Sequence, residues 1–277
     1  MFKVRVLSAA AGLALLAIVM LSPKEVLGVA VFALSLLGIN EFYGAVSKTG
    51  LKPLKPLGYF SCLPLLLLAF YGGAAAQKFI PPQEQPGFLI LGVFAIMLIA
   101  CSFMVIMHPA YNVADMSITI FGVLYVPFLL SFLTLTRNLI HGSFFIWLIF
   151  IGAWITDTFA YFTGVAIGKR KLTAVSPKKT LEGSIGGIAG CIASTVIYGI
   201  LIGNYIEGIP LYHFAAIGAL NGVLSQVGDL AASAVKRHAG IKDYGNIMPG
   251  HGGVLDRVDS ILFTAPAVYL YIIILII

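Results

Sequence analysis

The chain has 277 residues, of which 60% are hydrophobic and 10% charged, with 17 Lys and Arg against 11 Asp and Glu. A typical soluble domain carries about 25% charged residues, and a soluble protein of this length could not bury so much apolar surface. The composition therefore excludes an ordinary soluble protein and indicates that lipid covers much of the surface.

Nine apolar stretches are long enough to cross a bilayer as helices, which takes about 20 residues each. They cover residues 5–21, 26–46, 57–76, 87–107, 117–136, 142–167, 185–203, 210–235 and 257–277. Proline and glycine mark the connections at 52–53, 80–82 and 208–210. The sequence therefore predicts an all-α integral membrane protein, a polytopic bundle of about nine transmembrane helices.

The basic residues predict the orientation of these helices. If the spans alternate, the side with the N-terminus and the loops after spans 2, 4, 6 and 8 carries fourteen Lys and Arg, and the other side carries only Lys24, Lys78 and Arg137. Positive charge accumulates on cytoplasmic loops, so the N-terminus is expected in the cytosol. Aromatic residues are not interleaved with the basic ones, so nucleic-acid binding is not expected.

Two polar features precede the last two spans. Glu41 is an acidic residue deep in span 2; it is either functional or a hydrogen-bonding group between helices, and we favour the structural role. Span 6 ends with Asp157 and Tyr161, four residues apart and so on one helix face. The basic connection that follows includes Ser176-Pro-Lys-Lys-Thr180, whose hydroxyl and ammonium groups suit a phosphate.

Span 8 carries a polar residue every fourth position, which forms one stripe along a helix. The stripe consists of Asn221, Ser225, Asp229, Ser233 and Arg237. A carboxylate inside a span costs about 2.5–3.5 kcal/mol on insertion scales. We therefore expect Asp229 to face protein or water and to have a cationic partner.

Cations, carboxylates and glycines crowd the connection between spans 8 and 9. Four cations and three carboxylates lie between residues 236 and 259, with glycines that allow tight turns and close approach to a ligand. Carboxylates suit Mg²⁺, which commonly shares ligands with substrate phosphates, and lysine and arginine suit the phosphates. The pattern indicates phosphoryl or nucleotidyl transfer. The basic segment before span 7 lies on the same predicted membrane face, so the two segments are expected to form one site.

The stretch from Ser233 to Asp259 resembles the signature of the phosphatidate cytidylyltransferases, the CDP-diacylglycerol synthases. The matching positions are Ser233, Lys236, Arg237, Lys242, Asp243, Gly245, Pro249, His251, Gly252, Gly253, Asp256, Arg257 and Asp259. Residues 157–164 and 176–183 are similar to upstream motifs of that family. The resemblance implies a Mg²⁺-dependent enzyme of phospholipid biosynthesis that converts CTP and phosphatidic acid to CDP-diacylglycerol and pyrophosphate.

The resemblance also implies roles for individual residues. The metal ligands would be Asp229 and Asp256, with Asp259 as a secondary ligand or orienting partner; a second cation stays open. The phosphate-binding catalytic residues would be Lys236, Arg237, Lys242, His251 and Arg257, and the substrate-binding residues would be Ser176, Lys178, Lys179, Thr180, Asp157 and Ser233. On this reading residues 1–140 form N-terminal transmembrane helices, and residues 141–277 form catalytic transmembrane helices with cytosolic loops.

One alternative function stays open, and a second rival lacks its signature in this sequence. An ion-coupled membrane transporter would also place acids inside spans, but the sequence lacks an obvious internal repeat. The CDP-alcohol phosphotransferases have an Asp-x₂-Asp-Gly-x₂-Ala-Arg signature that this sequence lacks.

The expected location is the cell membrane, multi-pass, with the active site facing the cytosol. Its partners are CTP, phosphatidic acid and membrane lipids, and a homodimer is left open.

Overall fold

The computed structural model describes residues 12, 14–71, 85–206, 208–247 and 252–276. In these ranges every regular element is helical, and an isolated β-bridge pairs Lys171 with Thr180. The prediction of an all-α fold is therefore confirmed for the described residues.

Residues 14–21 are helical, and ten further α-helices follow, which we number in chain order. They are α1 (Lys24–Val46), α2 (Lys55–Phe60), α3 (Leu63–Tyr71), α4 (Gln85–Ile106), α5 (Val113–Val123), α6 (Leu129–Asn138), α7 (Gly142–Ile167), α8 (Leu181–Ile202), α9 (Leu211–His238) and α10 (Leu255–Leu275). A π-helical turn at Leu124–Phe128, which contains Pro127, joins α5 to α6. Proline lacks a backbone N–H, which favours this local change of helix type.

Six helical stretches are long and apolar enough to cross a membrane, judged by length and composition within the described residues. They are Lys24–Thr49, Val113–Asn138, Gly142–Ile167, Leu181–Ile202, Leu211–His238 and Leu255–Leu275. These match the second, fifth, sixth, seventh, eighth and ninth predicted spans. Two further apolar stretches, Lys55–Phe70 and Ile90–Ile106, are shorter, and much of the first span lies outside the described residues. The count of nine stays a prediction.

The first of two compact units comprises Met1–Asn138 and Val235–Val258. Its core lies along α1, where Ile39, Phe42 and Tyr43 are fully buried. The Tyr43 hydroxyl donates to the carbonyl of Thr119 on α5 over 2.8 Å. At the start of α5, the buried Asp115 accepts the backbone N–H groups of Lys52 and Asn112, and this fixes the connection between α1 and α2.

The second unit comprises Leu139–Ala234 and Asp259–Ile277. Helices α7 and α8 approach closely because α8 carries glycines on the facing side; a Cβ at Gly187 would lie 2.8 Å from the Thr156 carbonyl oxygen. Small residues at helix contacts are typical of membrane bundles. On α9, Asn221 and Ser225 donate to the carbonyls of Leu148 and Ala153 on α7. The N-terminal part of the predicted polar stripe therefore holds α9 against α7.

Candidate active site

In the first unit, the chain leaves α9 through a tight left-handed turn. Gly240 has φ +65°, and its N–H donates to the Arg237 carbonyl while the N–H of Ile241 donates to the Lys236 carbonyl. This pair of bonds is the Schellman arrangement that ends many helices, and glycine adopts the left-handed conformation without a steric penalty. The turn directs residues 241–247 away from the helix axis and starts the polar connection to α10.

Asp256, in the first turn of α10, organises this connection. Its Oδ1 accepts from the Lys236 ammonium over 2.7 Å, and its Oδ2 accepts the backbone N–H groups of Tyr244 at 2.8 Å and Gly253 at 3.0 Å. The Asp256 side chain is only 3% exposed. A buried carboxylate requires such compensation, because burial without partners is very costly. The Lys236 ammonium also lies 5.5 Å from the centre of the Tyr244 ring.

Glu41 of α1, which is distant in sequence, contacts the same connection. Its Oε1 accepts the N–H of Val254 at 2.9 Å, and its Oε2 accepts the N–H of Leu255 at 2.8 Å. Glu41 is 5% exposed. The predicted structural role is therefore present, although the partner is the polar connection before α10. Three consecutive N–H groups, from Gly253 to Leu255, donate to carboxylates, so these backbone amides do not offer donors to a phosphate.

Three cations between the end of α9 and the start of α10 have exposed side chains. Arg237, Lys242 and Arg257 are exposed. Within the described ranges none of the three lies in an ion pair, because the two pairs found are Lys179–Asp229 and Lys236–Asp256. Exposed arginine and lysine without a carboxylate partner are suited to bind phosphate. The predicted phosphate-binding residue His251 lies outside the described residues.

In the second unit, Asp229 of α9 forms an ion pair with Lys179. The side chains are 25% exposed for Lys179 and 23% for Asp229, so neither is fully covered by protein. The expected cationic partner of the intramembrane Asp229 is thereby confirmed, and it comes from the basic segment before α8. The sequence suggested both residues for the site but did not indicate that they pair.

The basic segment between α7 and α8 folds back on itself. Leu172 donates its N–H to the Lys179 carbonyl, and Leu181 donates to the Arg170 carbonyl, each over 2.9 Å. Thr180 is the N-cap of α8, and its hydroxyl oxygen accepts the N–H of Gly183. Glu182 accepts the backbone N–H groups of Lys169 and Arg170. These bonds hold Ser176 and Lys178 at the tip of a defined turn.

The remaining predicted residues divide by unit. Asp157 and Lys178 are exposed, whereas Ser176, Thr180, Ser233 and Asp259 are partly exposed; all six belong to the second unit. Asp259 accepts the N–H of Ser260 at 2.8 Å. Thr180 has the structural task described above, and its role toward substrate stays a prediction. The joining of the two polar segments into one site also stays a prediction from the sequence.

The carboxylates are compatible with a hard divalent cation when a substrate supplies further ligands. Asp229 is partly exposed, and Asp256 Oδ1 accepts from one side-chain donor, the Lys236 ammonium, so a lone pair remains there. Within the part of the chain that the structure describes, no three His, Cys, Asp or Glu side chains gather closely enough to hold a metal alone. Mg²⁺ commonly uses one or two carboxylates together with substrate phosphates and water.

Comparison with known proteins agrees with this chemistry. The Cytidylyltransferase family model matches residues 3–275. The chain is 30% identical to a phosphatidate cytidylyltransferase of Synechocystis over an alignment that covers 98% of this chain and 96% of that protein. It is 33% identical to the Bacillus subtilis phosphatidate cytidylyltransferase, over 79% of this chain and 80% of that protein. A Thermotoga maritima relative of the same name is 39% identical over 54% of this chain and 56% of that protein. The chain therefore belongs to the cytidylyltransferase family.

Proposed function

We propose that the protein is a phosphatidate cytidylyltransferase, which transfers the cytidylyl group of CTP to phosphatidic acid and releases pyrophosphate. The observation that carries the proposal is the buried carboxylate of Asp256, which anchors the connection between α9 and α10, with Lys242 exposed on that connection and Arg237 and Arg257 exposed on the helix turns that flank it. The relatives named above carry the same activity in their names.

The reaction matches the groups that the chain provides. A phosphate oxygen of phosphatidic acid attacks the α-phosphorus of CTP, a new P–O bond forms, and the bond to the β-phosphate oxygen breaks with its electron pair leaving on pyrophosphate. The nucleophile is already an anion, so a strong general base is not required. Two polyanions must instead be brought together, and cations that neutralise their charge supply most of the catalysis.

Each polar group takes a separate task in this proposal. Arg237, Lys242 and Arg257 bind phosphate groups, together with His251 and the exposed Lys178. Lys236 and Lys179 each neutralise an aspartate. Each is also next in sequence to a proposed phosphate-binding residue, Arg237 or Lys178, and exchanges its aspartate for a substrate phosphate when substrate binds. Asp229 and Asp256 would hold Mg²⁺, with Asp259 in support, and the bound ion would supply neutralisation of phosphate charge.

The enzyme reading is tested by incorporation of radiolabelled CTP into lipid. Purified protein in detergent micelles, supplied with phosphatidic acid and Mg²⁺, is expected to form a labelled liponucleotide and one pyrophosphate per turnover. Omission of phosphatidic acid, or addition of excess chelator, is expected to stop the reaction. If no labelled lipid forms and the protein instead moves a solute across proteoliposomes, the transporter reading replaces the enzyme.

The proposed location is the cell membrane, with the N-terminus and the active site on the cytosolic face. The positive charge of the loops supports this orientation, and CTP is a charged metabolite that reaches the protein from water. Phosphatidic acid keeps its acyl chains in the bilayer and presents only its headgroup. Nine spans, an odd number, place the C-terminus on the outer side.

Thiol labelling tests the orientation. In a variant whose exposed native cysteine is replaced (Cys101→Ser), single cysteines at the exposed positions Ala174 and Asn246 are expected to react only with reagents that reach the cytosol. A cysteine at the exposed Asn204, in the connection between α8 and α9, is expected to react from outside. Opposite accessibility of positions 174 and 246 would contradict the proposed orientation of the two basic segments.

A further inference from the structure

We propose that Glu41 is a positioning residue for the reaction, and that it acts by holding the backbone that carries Asp256. The inference rests on the proposed role of Asp256, and all residues concerned belong to the first unit. Glu41 lies on α1, more than two hundred residues before its partners Val254 and Leu255. Glu41 is not one of the signature residues between Ser233 and Asp259.

Three consecutive backbone N–H groups donate to Asp256 and Glu41. Gly253 donates its N–H to Asp256 at 3.0 Å, and Val254 and Leu255 then donate to the two oxygens of Glu41 at 2.9 and 2.8 Å. The first N–H groups of a helix have no partner within the helix, and a negative charge there is favourable. Glu41 supplies both from another helix, so it fixes where α10 begins and hence where Asp256 stands.

Two glycines of the connection are explained by the same carboxylate. A Cβ at Gly245 would lie 2.5 Å from Glu41 Oε1, and a Cβ at Gly253 would lie 2.5 Å from Glu41 Oε2. Neither glycine has φ in the left-handed region, in contrast to Gly252 with φ +82°. A special backbone conformation therefore does not require glycine at 245 or 253. Instead, the Glu41 carboxylate occupies the space that a side chain at either position would need.

Glu41 is a poor candidate for a direct contact with substrate. Its side chain is buried, with 5% exposure for the residue, and both oxygens already accept N–H groups. Asp256 differs in accepting from a side chain, the Lys236 ammonium, as well as from backbone. Glu41 contacts only backbone in the bonds described. Its effect on the reaction must therefore pass through the position of residues 253–256.

The test compares Glu41→Gln with Asp115→Asn. In Glu41→Gln an amide NH₂ replaces one acceptor, so one of the two N–H groups faces a donor. We expect kcat to fall about 10- to 100-fold, the usual range for residues that orient a reacting group through another, with KM for CTP close to wild type. Amide hydrogen exchange of residues 252–256 should rise. Asp115 is equally buried and also accepts two backbone N–H groups. We expect Asp115→Asn to lower thermal stability but to leave kcat and the amide exchange of residues 252–256 at wild-type values.

A second pair of variants keeps the inference testable if Glu41→Gln does not fold. Gly253→Ala is expected to lower kcat and raise exchange at residues 254 and 255, because its methyl group displaces the Glu41 carboxylate. In a Glu41→Ala background, Gly253→Ala should cost much less, which a double-mutant cycle measures. Wild-type kcat and exchange in Gly253→Ala, or in a folded Glu41→Gln, would overturn the proposal.

The outcomes also separate this inference from the proposed role of Asp256. If Asp256→Asn keeps its activity, the role of Asp256 fails even when Glu41→Gln raises exchange at residues 252–256. If Asp256→Asn is inactive while Glu41→Gln keeps both kcat and exchange at wild-type values, only the positioning role of Glu41 is overturned.

Discussion

Asp256→Asn is expected to lower turnover by about 10²–10³-fold, the loss that follows removal of one preorganised charged group from a reacting site. The asparagine has the same size, so α10 should still form and the protein should still insert in the membrane. Its amide lacks the charge that holds the Lys236 ammonium at 2.7 Å. The measurement is kcat with saturating CTP and phosphatidic acid, on protein that elutes as a single species in detergent.

The control for this variant is Asp115→Asn. Asp115 is 3% exposed and accepts backbone N–H groups from Lys52 and Asn112, so it shares the burial and bonding of Asp256 without its cationic partner. We expect kcat of the folded Asp115→Asn protein to match wild type. Activity of Asp256→Asn within about threefold of this control, far less than one lost charged contact in a reacting site would produce, would remove Asp256 from the reacting groups.

The long apolar helices could be predicted from sequence because lipid imposes a simple rule on them. Backbone polar groups must be satisfied within the segment, and the required length is set by the bilayer. The helices that differ from the prediction are those with breaks. Residues 57–76 were expected to form one span, yet the structure has α2 ending at Phe60 and α3 beginning at Leu63. Hydropathy does not register such a break, because the residues on both sides are apolar.

The polar stripe of α9 shows what spacing can and cannot reveal. A period of four places Asn221, Ser225 and Asp229 on one helix face, and that part of the prediction depends only on helix geometry. Their separate tasks depend on what packs against the face. Asn221 and Ser225 bond to carbonyls of α7, whereas Asp229 pairs with Lys179. Such partners are distant in sequence and leave no local signal.

Glu41 illustrates the same limit at the candidate site. The sequence marks it only as an acid in an apolar run, which indicates a buried partner of unknown identity. The partner proved to be two backbone N–H groups beside Asp256. Backbone donors have no residue-type signature, so a spacing rule cannot find them. The one local trace is the presence of glycine at 245 and 253, which the structure explains by the volume of the Glu41 carboxylate.

The ion pair between Lys179 and Asp229 is expected to matter for both stability and activity, and a double-mutant cycle separates the two. Lys179→Met leaves the Asp229 carboxylate without its ion-pair partner inside a membrane helix. The pair is about one quarter exposed, so we expect a loss of about 1–3 kcal/mol, between the values for surface and buried pairs. The neighbouring Lys178→Met changes an exposed residue and should leave thermal stability in detergent within about 0.5 kcal/mol of wild type.

The double variant Lys179→Met with Asp229→Asn decides what the pair is for. Two neutral side chains need no mutual compensation, so thermal stability should return close to wild type, as it does when buried ion pairs are replaced together. Turnover should stay at least about 10²-fold below wild type, because both charges are lost from the groups proposed to hold phosphate and cation. A double variant that regained activity along with stability would show that the pair serves only to keep α9 folded in the membrane. Stability without turnover would instead assign the two charges to the reaction, and the cost of placing Asp229 inside a span would have a chemical reason.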